Sequence, residues 1–145
     1  MTGRDFLPLV VHLAGGTTEA EWRSAISRAY YAAFHVARQL LADLGFRVPR
    51  ADTAHIFVAW RLQNCSVPQI QKAGADLDTL RSLRNQADYD FPRPISQAVA
   101  TTQVRTAETI ILQLDSARLE PIRTQITDAM KVYERDVLKN VTWHP

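Results

Sequence analysis

Between Thr18 and Gly45 the chain runs without a proline or a second glycine, framed by Thr18-x-x-Glu21 at one end and by Gly45, just past Leu44, at the other. A Thr hydroxyl and a Glu carboxylate three residues apart satisfy each other's exposed amides at a helix start, and glycine accepts the left-handed backbone that ends one. The signals therefore predict a single long helix. At about 100° per residue, Trp22, Ile26, Ala29, Ala33, Val36, Leu40 and Leu44 fall on one stripe, and Phe34 and Leu41 widen the apolar cover beyond it. A helix covered on two sides needs neighbours on two sides, so this segment is expected at the centre of a bundle.

The rest of the chain keeps the same period, and no segment alternates strictly enough for a half-buried strand. Five further helices are expected. The first covers Arg4 to Ala14 with Phe6, Leu9, Val10 and Leu13 inward, stopped by Gly15-Gly16. A third spans about Thr53 to Asn64, with Ile56, Phe57, Ala59 and Trp60 apolar and Asp52 or Thr53 as cap. A fourth opens at Ser66-x-x-Gln69 beside Pro68 and runs to about Tyr89, where Phe91-Pro92-Arg93-Pro94 ends it. The fifth covers about Ile95 to Leu119 through Val99, Thr102, Ala107, Ile110, Ile111 and Leu114. Pro121 either kinks it or begins a sixth helix, which carries Ile122, Ile126, Ala129, Tyr133 and Val137 and ends near Leu138.

With 145 residues, of which 46% are hydrophobic and 22% charged, the chain has material for one core without staples. A net charge of +2 is too small for bulk attraction to nucleic acid, so any such contact must come from a local patch. Cys65 is alone, no signal segment opens the chain, and no apolar run approaches the roughly 20 residues of a membrane helix. A cytoplasmic protein that uses no membrane is the expectation. His12, His35, His55 and His144 lack the spacing of metal ligands, and neither a glycine-rich phosphate loop nor a nucleophile elbow is present. No metal and no cofactor are expected.

Two stretches carry more polarity than a packed helix requires. On the long helix, Ser24, Ser27, Tyr31, His35 and Arg38 occupy adjacent faces, which reads either as a solvated face or as a polar groove. On the fourth helix, Leu77, Leu80, Leu83 and Ala87 set the inward direction, and Arg84 falls about 40° from its centre. A half-inward guanidinium needs a partner. Asp88 one turn on would supply it, or Arg84 with Arg81 and Asn85 would hold a phosphate in bidentate fashion.

Ser27-Arg28-Ala29-Tyr30-Tyr31-Ala32-Ala33-Phe34-His35, His55 at the start of the next helix, and Leu83-Arg84-Asn85-Gln86-Ala87-Asp88-Tyr89 together resemble the HEPN superfamily, the higher eukaryotes and prokaryotes nucleotide-binding domain. The likeness spans roughly residues 4–117. It implies an all-α, up-and-down bundle of four to five helices over 1–119, here with an extra C-terminal helix over 120–145 packed on the same domain. It further implies a homodimer, a toxin–antitoxin or defence setting, a minimal nucleotidyltransferase antitoxin as partner, and RNA as the target of a metal-independent endoribonuclease. In such enzymes an arginine and a polar residue near the end of the fourth helix precede a histidine. Arg84 and Asn85 match, but Tyr89, Asp90 and Phe91 stand where the histidine would be. Cleavage by a ribose 2′-hydroxyl needs a proton acceptor working near pH 7, which imidazole is and phenol is not.

Two functions follow. In the first, Arg84, Asn85, Asp88 and Tyr89 form a diverged ribonuclease site, lined by Arg81, Ser27, Tyr31, His35 and His55, with His35 or His55 standing in for the absent histidine. In the second, the bundle is a non-catalytic module that binds a protein partner.

Overall fold

A computed structural model describes residues 1–145. It contains a 3-10 turn at Gly3–Phe6, then α1 (Leu7–Ala14), α2 (Glu19–Leu44), α3 (Ala54–Gln63), α4 (Pro68–Tyr89), α5 (Gln97–Ser116) and α6 (Ile122–Tyr133), with a closing π-helical turn at Glu134–Leu138. The fold is all-α, a helical bundle with an additional C-terminal helix. None of its helices is long and apolar enough to cross a membrane.

The expected α2 is realised to the residue. Glu21 N–H donates to the Thr18 hydroxyl at 3.2 Å, while the Glu21 carboxylate accepts from that hydroxyl at 2.8 Å and from Thr17 N–H at 3.4 Å. At the other end Gly45 takes φ +108°, which a side chain rarely adopts. Ala25, Ile26, Ala29, Tyr30, Ala32, Ala33, Phe34, Val36, Ala37, Leu40, Leu41 and Leu44 are all buried, so the helix is covered well beyond one stripe.

Two compact units divide the chain, and α2, α4 and α5 each contribute residues to both. The first comprises Met1–Val36 and Asp76–Ile110. In it the 3-10 turn lies directly on α2, where a Cβ on Gly3 would meet the Ala32 carbonyl oxygen at 2.5 Å. Gln97 ties the start of α5 to the end of α1 by donating to the carbonyls of Ala14 and Gly16.

The second unit comprises Ala37–Ala75 and Ile111–Pro145. Here Arg61 of α3 forms a buried ion pair with Glu134 at 2.8 Å. The same carboxylate accepts from Thr142 N–H and hydroxyl and from Trp143 N–H. Trp143 indole N–H then donates to Leu44 O at 2.8 Å, and its ring lies 3.7 Å from Lys131 Nζ. Residues beyond α6 are thus tied to α3, α6 and the end of α2.

Several expected faces are corrected. On α3 the buried residues are Ala54, Val58, Ala59, Arg61 and Leu62, whereas Ile56 and Trp60 are exposed, because the helix is phased to bury Arg61 against Glu134. Leu9 of α1, Val99 and Thr102 of α5 and Val137 are also exposed. Ser66 does not cap α4: it takes φ +67°, and Val67, whose carbonyl receives Ile70 and Gln71 N–H, is the residue before the first turn. The fifth helix stops at Ser116, three residues short of Leu119, and Pro121 precedes α6 rather than kinking α5.

Candidate functional site

The face of α2 that carries Ser27, Tyr30, Tyr31 and Phe34 meets the second half of α4 within the first unit. Arg84 is buried at 8% exposure. Its guanidinium carbon lies 5.2 Å from the Tyr31 ring centroid and 5.6 Å from that of Tyr30, within range of cation–π attraction. The two rings meet edge to face at 5.4 Å, and Tyr30 stacks on Phe34 at 5.9 Å. Successive aromatics on α2 therefore build an apolar floor under a charged group.

The pairing with Asp88 is present but loose. Arg84 Nη1 lies 3.5 Å from Asp88 Oδ2, and the Ser27 hydroxyl donates to that same oxygen at 3.2 Å. Ser27 thus orients the carboxylate, which faces only the Nη1 edge of the guanidinium. Arg84 Nε is buried without a hydrogen-bond partner, and so is Nε of Arg81, one turn earlier on α4. Each is a donor removed from water with nothing to replace it, a state native proteins rarely tolerate.

Tyr30 is almost wholly buried beside these arginines. Burial drives its phenol well above the ordinary value, against the opposing pull of Arg81 and Arg84, so the hydroxyl keeps its proton. The expected site residues do not include Tyr30.

Arg23 was equally unmarked. From α2 its Nη1 donates to the carbonyls of Gln86 (3.2 Å), Ala87 (2.9 Å) and Asp90 (3.2 Å), and its Nη2 to those of Phe91 and Arg93. Glu19 receives Arg23 Nε and Nη2 and also Ile95 N–H at 3.1 Å. One cation thus satisfies the orphan carbonyls at the end of α4 and fixes the turn that follows. The sequence signal was limited to an i,i+4 Glu19–Arg23 pair.

The residues expected at the site are only partly gathered. Arg84, Asp88, Ser27 and Tyr31 meet, Arg81 joins them through Tyr30, and His35 lies 6.2 Å from Tyr31, ring to ring, on the exposed side. Asn85 and Tyr89 point to solvent, Tyr89 at 77% exposure. His55 belongs to the second unit. Nowhere do three His, Cys, Asp or Glu side chains gather as a metal site would require.

In the first unit, α2 thus presents Tyr30 and Tyr31 to an arginine near the end of α4, within an all-α helical bundle. The HEPN domain family model matches residues 17–116, more than half of the chain, and the protein belongs to that family. Neither a curated protein nor a solved structure matches it.

Proposed function

We propose that this HEPN-domain protein acts on RNA or nucleotide phosphates, in a toxin–antitoxin or defence setting, through a diverged form of the family's ribonuclease site. The observation that carries the reading is the pair of buried, partnerless Nε donors on Arg81 and Arg84. Guanidinium groups bind phosphate oxygens through paired N–H donors, and a ligand of that kind relieves both deficits at once.

In this reading Arg84 and Arg81 hold phosphate charge, and Ser27 and Asp88 fix the orientation of Arg84. Asp88, 3.5 Å from Arg84, is a group able to accept a proton, with Tyr31 and His35 alongside, and Asn85 and Tyr89 belong to the outer rim. A carboxylate is a weaker base than imidazole, so the site grips phosphate better than it drives 2′-hydroxyl attack. A cytoplasmic homodimer with a minimal nucleotidyltransferase antitoxin as partner fits this setting. Residues 120–145 are assigned to the same domain as 1–119, supported by the Glu134–Arg61 pair.

A second reading rests on a separate observation: Tyr89 and Phe91 are 77% and 72% exposed at the end of α4, on a turn that Arg23 holds rigid. Fixed exposed aromatics suit a protein-binding module. Wild type and Arg84→Ala are to be expressed from a tightly repressed promoter, and the purified proteins assayed on total RNA in EDTA. The first reading expects growth arrest and RNA binding or cleavage with wild type alone. Unchanged growth and no RNA effect with either protein would transfer the function to the binding module.

A further inference from the structure

Arg28 lies in the polar stretch of α2, yet the site described above makes no use of it. It is exposed, and it differs from the other arginines in what surrounds it. Arg23, Arg61, Arg118 and Arg135 each face a carboxylate at 2.7–2.9 Å. Arg28 has no ion pair and no side-chain hydrogen bond within the chain; its guanidinium carbon lies 5.9 Å from the Phe6 ring centroid and 6.0 Å from that of Tyr31. The sequence accounts for this isolation. Three and four positions away on α2 stand Ser24, Ala25, Tyr31 and Ala32, none of them acidic. Asp5, next to Phe6, turns its carboxylate to Thr2 N–H at 2.6 Å. Ring contacts at about 6 Å lie at the outer limit of cation–π attraction and use none of the N–H donors of the guanidinium.

Tyr31 connects this cation to the site. Its ring centroid lies 6.0 Å from the Arg28 guanidinium carbon and 5.2 Å from that of Arg84, so the two charges are no further apart than those distances laid end to end. Asp88 stands on the Arg84 side, 3.5 Å from Nη1, and no carboxylate stands on the Arg28 side. Like charges held this close repel, and an anion lying along both relieves the repulsion. One of the two is buried and the other exposed. A mononucleotide monophosphate has a single phosphate to offer such a pair, whereas a strand has a second one to lay along the surface.

We propose that Arg28 binds a second phosphate of an RNA strand whose first phosphate is held at Arg84, so that the preferred ligand is an oligonucleotide rather than a mononucleotide. The proposal rests on the phosphate-directed reading and narrows it to a strand that passes Tyr31 along the exposed side of α2.

The test is fluorescence anisotropy with a short single-stranded RNA over a series of salt concentrations, with AMP as competitor, on the wild type, Arg28→Ala, Arg28→Lys, Arg84→Ala and Arg105→Ala. Arg105 is an exposed cation of α5 in the same unit that meets neither ring, and its removal takes away the same charge. Arg28→Ala should weaken RNA binding about tenfold, the loss of one charge-assisted contact, and reduce the slope of log K against log salt by about 0.7, the share of one phosphate in a single strand. The gain in affinity from AMP to RNA should shrink by the same factor. Arg28→Lys should recover the slope, and Arg105→Ala should alter neither quantity. Wild-type binding in Arg28→Ala, with binding lost in Arg84→Ala, would overturn the Arg28 subsite and leave the phosphate reading standing, and so would equal losses in Arg28→Ala and Arg105→Ala, the mark of bulk attraction. RNA binding indifferent to Arg84, or none by the wild type, would overturn both and favour the protein-binding module.

Discussion

Arg61 and Arg84 are both buried arginines on helices, and the chain treats them in opposite ways. In the second unit Arg61 donates Nε to Glu134 at 2.8 Å and Nη1 to Phe57 O at 3.2 Å, and its guanidinium lies 3.3 Å from the Phe57 ring centroid. Its partner carboxylate is in turn held by Thr142 and Trp143. In the first unit Arg84 has one carboxylate at 3.5 Å, two aromatic rings at longer range, and an Nε with no partner. A buried cation surrounded by acceptors is accounted for by the fold, whereas one left with a spare donor calls for an explanation beyond it.

Removing one member of the satisfied pair is the harshest test of this contrast. Arg61→Ala is expected to cost about 3–5 kcal/mol, because Glu134 is left buried and charged without its cation. Urea denaturation should show the double variant Arg61→Ala/Glu134→Ala losing less than the sum of the two singles. A single-variant loss under about 1 kcal/mol would erase the distinction between the two arginines.

Arg23 comes next. Its guanidinium is spread over carbonyls from Gln86 to Arg93, and Arg23→Ala should cost about 2–3 kcal/mol, near the value of one or two charge-assisted hydrogen bonds after relaxation. Hydrogen exchange at the amides of Arg93 and Ile95 should quicken, because Asp90 and Glu19, which accept from them, lose their anchor. Arg23→Lys should restore little, since one ammonium cannot reach so many carbonyls.

Acid sharpens the comparison more gently. Burial alone would raise the Glu134 carboxyl, but hydrogen bonds from Thr142, Arg61 and Trp143 outweigh it and hold the group below the ordinary value of 4.5. A carboxyl depressed in the folded state contributes stability that is complete above the unfolded value and is lost as pH falls through the folded one. Wild-type stability should therefore decline below about pH 4.5, and Glu134→Gln, less stable at pH 7, should decline less steeply. Parallel curves for the two proteins would show that Glu134 is not the linked group.

The same contrast explains what could be read from the chain. The ends of α2 were legible because Thr18, Glu21 and Gly45 act within a few residues of the helix they bound, and the inward lean of Arg84 was legible because Leu77, Leu80, Leu83 and Ala87 set the phase locally. The α3 face is not legible locally because its phase depends on Glu134, 73 residues away, which turns an arginine inward and leaves Ile56 and Trp60 in water. Arg23 was silent for the same reason, since the carbonyls it caps lie 63 to 70 residues on and carry no side-chain signature.

The smallest effect on stability belongs to Arg84, and that smallness is its diagnostic value. Replacing an under-satisfied buried cation by an apolar side chain of similar length removes a desolvated charge and the Nε deficit, while it forfeits a 3.5 Å ion pair and two cation–π contacts. Arg84→Met is therefore expected to change stability by less than about 1 kcal/mol in either direction, whereas Arg61→Met, stripping Glu134 of its partner, should cost several times more. Phosphate binding should follow the reverse order, abolished in Arg84→Met and unchanged in Arg61→Met. Equal stability losses for the two variants would mean that Arg84, like Arg61, is retained for the fold, and the partnerless Nε would then mark strain rather than a site.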